Sequence, residues 1–311
     1  MRIVFLGTPE FAVPTLEETV KAGHEVTAAI TQPDRPKGRS RALAEPPVKQ
    51  AARRLGIPVH QPERIRTPEF VEFLKGLGAG AGVMVGYGKI IPQAVIDVFP
   101  HGIINVHASL LPKYRGAAPI QWAIANGETR TGVTTMRIDA GLDTGDILLQ
   151  RETEIGPEET APELSPRLAR MGAEVLVETL LRVEDGTIVP QPQDSTQASL
   201  APILKKEDGR IDWTRPASEI HNRIRGFQLW PGCYTQFRFR QMQIWRARPG
   251  GEAKGAPGSL AVRNKRLFVA CGANTSLELL EIQVEGKRRM TAVDFLNGYR
   301  LSDNDVLEMS Q

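Results

Sequence analysis

Ile103-Ile104-Asn105-Val106-His107-Ala108-Ser109-Leu110-Leu111-Pro112 is the stretch on which the reading of the fold turns. Its first five residues are apolar except for Asn105 and His107, as in a buried strand that delivers polar side chains at its end. A loop with Pro112, Arg115 and Gly116 follows, and at Pro119 a helical spacing begins that runs to Ala125. Prolines fix φ in such a loop, so it is suited to shape a rigid pocket or simply to make a well-ordered connector.

The same alternation extends toward the N-terminus. Residues 2–6 form a run, apolar after Arg2, ended by Gly7, Phe11 to Val20 has helical spacing up to Gly23, and His24 to Ile30 reads as a second strand. A helix from Pro46 to Leu55, a short strand Ile57-Pro58-Val59, a helix from Pro68 to Leu77 and the apolar segment Ala81 to Val85 complete the series. Alternating strands and helices predict a Rossmann-like, doubly wound, mostly parallel sheet with helices on both faces. Downstream, 132–138 and 147–154 read as an antiparallel pair around the turn Asp139 to Asp146, and a long helix from Leu164 to Val183 closes the domain.

After Gly186 the texture changes. Residues 187–204 are rich in Pro, Gln, Ser and Ala, and read as a linker. A short helix (Ala217 to Arg225) then precedes five short runs, Cys233 to Arg238, Met242 to Ala247, Ser259 to Val262, Leu267 to Ala270 and Leu277 to Val284, as in a small OB-like β-barrel. The expected organisation is a catalytic domain over 1–186, a linker over 187–204 and a barrel over 205–311.

A chain of 311 residues is long enough for two cores, and 41% hydrophobic with 24% charged residues is ordinary for globular proteins. Met1 to Gly7 is too short an apolar run for a signal peptide, and no stretch reaches the roughly 20 apolar residues that span a bilayer. Cys233 and Cys271 have no metal-like spacing, so neither a disulfide framework nor a metal site is expected. These features point to the cytoplasm. The net charge is −3 over 1–200 and +6 over 201–311, which suggests a polyanionic partner for the C-terminal third, or solubility alone.

Alternate residues of a strand face one side, so Asn105 and His107 converge on one site at a strand end, where open parallel sheets bind ligands. An isolated His there is more often structural. Asp139-Ala140-Gly141-Leu142-Asp143-Thr144-Gly145-Asp146 lacks the spacing of a calcium loop and reads either as an acidic turn or as the source of a carboxylate, Asp143, set against the His107 ring. Gly7-Thr8-Pro9-Glu10 stands where a dinucleotide fingerprint would stand but lacks its second and third glycines, which counts against a nicotinamide enzyme.

Five of these segments, 5–11, 31–35, 105–112, 115–121 and 141–146, resemble the methionyl-tRNA formyltransferase family of 10-formyltetrahydrofolate-dependent enzymes. So do Lys206 to Trp213, Ile224 to Phe227 and Trp230-Pro231-Gly232, in order and over nearly the whole length. The resemblance implies catalysis by Asn105, His107 and Asp143 without a metal. It implies folate contacts from Tyr87, Gly88, Ile90, Ser109, Leu110, Leu111, Pro112, Asp139 and Gly141. Contacts to initiator methionyl-tRNA are implied for Arg35, Lys37, Arg39 and Arg41 in a basic loop, and for Arg115, Arg223 and Arg225. Two departures are read as minor: Gly226 where the family carries Ala, and Lys113-Tyr114, expected not to touch the catalytic set. A monomer is expected. The rival readings are a formyltransferase acting on an amino-sugar nucleotide and a non-catalytic RNA-binding protein.

Overall fold

The computed structural model describes residues 1–37, 42–302 and 305–308. The described chain forms two compact units. The first comprises Met1–Pro119, Arg130–Glu154 and Ser165–Pro202, and the second Ile120–Thr129, Ile155–Leu164 and Ile203–Gln311.

The first unit is built on a seven-stranded sheet. Reading across it, the strands are Ile147–Glu154, Arg130–Arg137, Ile103–His107, Ala81–Val85, Arg2–Gly7, Glu25–Ile30 and Val59–His60. All run parallel except Arg130–Arg137, which is antiparallel to both neighbours. The order reverses at Arg2–Gly7, so the crevice beyond Gly7 and Val85 is a topological switch point. The central strands are buried on both faces, which explains why they read as continuous apolar runs instead of alternating ones. One face packs Val4, Leu6, Ile30 and Ile103 against Phe70, Leu74, Val95 and Phe99.

Of the segment 187–204, read from composition as a linker, residues up to Pro202 belong to the first unit. Leu200–Ala201 pairs in parallel with Arg115–Gly116, and Gln191 bridges to Ile147. The basic segment after Asp34 holds a small hairpin, Arg35–Lys37 against Ala42–Ala44, that the sequence did not announce.

The second unit carries the helix Ala217–Gly226 and a seven-stranded antiparallel sheet that curls into a half-barrel. Register shifts between Arg240–Glu252 and Thr275–Val284 bend these two long strands, as bulges do. Trp213, Phe227, Phe237 and Phe295 fill its core. Gly226 is not a minor departure: a Cβ there would lie 2.8 Å from both the Gln121 carbonyl oxygen and the Ala125 nitrogen. The helix ending at Gly226 thus approaches backbone that Ala would push away.

Candidate active site

Asn105 and His107 project from the last turn of strand Ile103–His107, opposite Met136 and Thr134 of the antiparallel neighbour. Both are nearly buried, at 4% and 6% exposure. The Asn105 amide makes no hydrogen bond among the described residues and is left available to a ligand. The His107 ring is held from one side: Nε2 lies 2.9 Å from the carbonyl oxygen of Tyr114. A carbonyl only accepts, so the proton sits on Nε2, and Nδ1 faces Asp143 Oδ2 at 3.7 Å. Asp143 Oδ2 also accepts the Gly116 N–H at 2.8 Å. The amide, imidazole and carboxylate therefore come from one unit and two of the three are directly juxtaposed.

The residues that set this geometry lie in two loops with costly backbone. Tyr114 and Asp143 both have positive φ, 62° and 51°, a region that side chains other than glycine enter rarely. In Tyr114 this turns the carbonyl toward His107, so Lys113-Tyr114 does touch that side chain, through main chain. Thr134 Oγ1 donates to the Ser109 carbonyl and accepts from the Leu111 N–H, and Gln150 Nε2 donates to the Leu111 carbonyl. In the second loop Asp139 accepts from Gly141 N–H and Thr144 Oγ1, and a Cβ on Gly145 would strike the Arg137 carbonyl.

Residues read as folate contacts are placed unevenly. Gly88, Ile90, Asp139 and Gly141 are exposed, and Leu110 and Pro112 half-buried. The Ser109 hydroxyl is turned inward onto the Lys113 carbonyl, and Leu111 is buried. The Tyr87 phenol lies in the apolar core, where burial pushes it up to about 12, so Tyr87 can offer only main chain. Its carbonyl accepts from Gln32 Nε2 at 3.0 Å. Gln32, Thr8, Pro9, Arg35, Gly86 and Gly88 line part of a crevice of about 870 Å³ at the switch point.

Of the residues assigned to tRNA, Arg39 and Arg41 lie outside the described residues, and Arg35 and Lys37 sit on the first strand of the hairpin. The hairpin ends are joined by Lys49, buried, whose Nζ meets Asp34 Oδ2 at 2.6 Å and Glu45 Oε1 at 3.1 Å. The hydrogen bond from Lys49 holds both carboxyls below their usual range. The other three are engaged within their own units. Arg115 is buried and gives both Nε and Nη2 to Gln193 Oε1. Arg225 is buried and donates to the carbonyls of Gly156 and Glu159, while Arg223 donates to the Asp208 carbonyl and stacks on Phe227. Each guanidinium donates to carbonyl or amide oxygens inside its own unit, and of the three Arg223 is the half-buried one. In the second unit Arg246, Arg248, Arg266 and Arg289 are about half exposed, each paired with the buried Glu278 or the half-buried Glu281.

Sequence reasoning missed the Tyr114 carbonyl, the Gly116 N–H, Thr134, Gln150 and Gln193. Main-chain groups carry no residue signature, and the side chains lie far off in sequence with no motif of their own.

Residues 1–180 match the formyl transferase family, and residues 203–300 match the formyl transferase C-terminal domain. The chain belongs to the formyl transferase family. It is 64% identical over 307 residues to the methionyl-tRNA formyltransferase of Solibacter usitatus, covering 99% of this chain and 98% of that one. The Koribacter versatilis methionyl-tRNA formyltransferase is 59% identical over 308 residues, again covering 99% and 98%. In fold, the chain is similar to an N-formyltransferase from Helicobacter canadensis solved with folinic acid and dTDP-3-aminofucose. That match has a TM-score of 0.66 at 20% identity and covers 89% of this chain and 98% of the other. No cluster of three or more His, Cys, Asp or Glu among the described residues could hold a metal, and no described helix is long and apolar enough to cross a membrane.

Proposed function

We propose that this formyl transferase moves the formyl group of 10-formyltetrahydrofolate onto the α-amine of methionyl initiator tRNA, as a cytoplasmic monomer serving translation initiation. The observation that carries the reading is near-full-length identity of 64% and 59% to methionyl-tRNA formyltransferases, on a chain whose Asn105, His107 and Asp143 share one unit.

In the mechanism, the neutral α-amine nitrogen attacks the formyl carbon and the carbonyl oxygen becomes an oxyanion. The unpaired Asn105 amide donates to that oxygen, a stabilisation worth about 10²–10³ in rate when one such donor is removed. His107, anchored through Nε2, presents Nδ1 to the same centre when protonated there. Asp143 accepts the amine proton, directly or through water, and passes it to N10 of the folate as the N10–carbon bond breaks. No covalent enzyme intermediate is required, because an amine is already a capable nucleophile. The folate and the aminoacyl end meet at the crevice of the switch point, whose lining holds Gly88 of the folate set and Arg35 of the tRNA set. Phosphate contacts fall to the exposed Arg35 and the half-buried Arg223, and such contacts depend on salt.

The test is mass analysis of methionyl-tRNA after incubation with the full chain and 10-formyltetrahydrofolate. Formylation of the α-amine that falls steeply as salt rises is expected. Equal or better transfer to an amino-sugar nucleotide, indifferent to salt, would overturn the assignment, and failure of any acceptor would favour a non-catalytic RNA-binding protein.

A further inference from the structure

We infer that Gln193, in the segment that composition reads as a linker, is a positioning residue that holds the Asp143 loop and the Arg115 loop in their catalytic register. The inference rests on the formyl-transfer reading.

Gln193 uses both ends of its amide. Nε2 donates to the carbonyls of Asp143 and Gly145, at 2.9 and 2.7 Å, on either side of the turn that carries the carboxylate. Oε1 accepts from Arg115 Nε and Nη2, at 3.1 and 2.8 Å. The Arg115 main chain is next to the two groups that touch the catalytic side chains: the Tyr114 carbonyl on His107 Nε2 and the Gly116 N–H on Asp143 Oδ2. The same segment fastens the first loop again, since the Tyr114 N–H donates to Ser199 Oγ and the Arg115 N–H to the Ser199 carbonyl. Two loops that each contain a positive-φ residue are thus spanned by one side chain. Backbone held in such regions persists only where its surroundings over-determine it. Without the clamp, the Asp143 turn is free to relax, and a displacement of about 1 Å at a reacting group costs on the order of 10²-fold in rate.

The test compares Gln193→Met, which keeps the length and removes every bond, with Gln193→Glu, which keeps the acceptor for Arg115 but faces two carbonyls with oxygen. Both are measured in the full chain, alone and combined with Asp143→Asn, by single-turnover formylation and by thermal unfolding. Both single variants are expected to lose at least about tenfold in kcat, with KM for methionyl-tRNA and folate within about twofold of wild type, and to add little to the loss from Asp143→Asn. Wild-type kcat in Gln193→Glu, or losses that multiply fully with Asp143→Asn, would overturn the inference. A loss of rate that merely follows a fall in unfolding temperature would do the same. If the unsubstituted chain formylates no acceptor, or Asp143→Asn is fully active, it is the functional reading that fails, and the two failures are told apart by those controls.

Discussion

At the scale of single residues, the site is defined by which polar groups are satisfied and which are not. Asn105 is nearly buried with an unpaired amide, whereas His107 has one nitrogen committed and one facing a carboxylate. An amide that has no protein partner can donate to a ligand without giving up a hydrogen bond of the fold. Asn105→Ala is therefore expected to lower kcat about 10²–10³-fold with an unchanged unfolding temperature, read by steady-state formylation and calorimetry; a rate within threefold of wild type would remove it from the mechanism. Tyr87 is the opposite case. Its hydroxyl is buried without a partner, but in the apolar core and not in the crevice. Tyr87→Phe should leave formylation unchanged and keep or raise stability, by up to about 1 kcal/mol, because a desolvated hydroxyl is removed and its ring is kept. A large fall in folate affinity would show instead that the phenol reaches the ligand. The sequence singled out Asn105, His107 and Asp143 because chemistry demands those residue types, and the fold sets the last two side by side. It could not reveal that a Tyr114 carbonyl orients the ring, since every residue has a carbonyl.

At the scale of elements, the strands and helices of the first unit were legible because fully buried parallel strands leave apolar runs such as Ala81–Val85 and Ile103–His107, and helices leave their own spacing. Segments held by polar contacts were not. Residues 187–202 look like a linker because they have few apolar residues, yet their backbone and amides are bonded to the first unit. The Arg35–Lys37 hairpin was hidden for the same reason, as its ends are joined by an ion pair and not by a core. Lys49→Met would leave Asp34 and Glu45 without their shared cation and loosen both ends of that hairpin. The expected result is a KM for methionyl-tRNA raised at least about fivefold with kcat less affected; a pure kcat effect would deny the hairpin a role in binding. Gly226→Ala belongs to the same scale. A methyl group forced against the backbone of Gln121 and Ala125 is overpacking, expected to destabilise by about 1–3 kcal/mol. Denaturant unfolding would measure it, and an unchanged midpoint would show that the helices can part freely.

Across the whole molecule, the titrating groups are arranged so that both acid and alkali oppose folding. Burial is the main cause that holds His24, His60 and His221 below their ordinary 6.5, with Glu158 partly opposing it at His221. The neutral ring is favoured in the fold, so as pH falls through about 6.5 the unfolded chain binds protons more readily and stability declines. The carboxyls of Asp34 and Glu45, held down by hydrogen bonds from Lys49, and of Asp305, held down by Arg238, act in a lower window. Their contribution is complete above an unfolded value of about 4 and is lost as pH falls below it. Burial acts on the other side as well, pushing Cys233, Cys271 and Tyr87 each up to about 12 from ordinary values of 9.0, 9.0 and 10.0. Their neutral forms favour folding, so stability is lost once pH rises past about 9, where the unfolded thiols ionise first. A plateau of thermal stability between about pH 6.5 and 9 follows, with a decline in two stages below it. Unfolding temperatures measured from pH 4 to 11 would check this, and a midpoint that is flat or rises from pH 8 to pH 5 would contradict the acid limb. Combining Cys233→Ala, Cys271→Ala and Tyr87→Phe would lower stability at neutral pH through the cavities left by the sulfurs, but should flatten the alkaline limb, because no buried acid would remain among those three to ionise on unfolding.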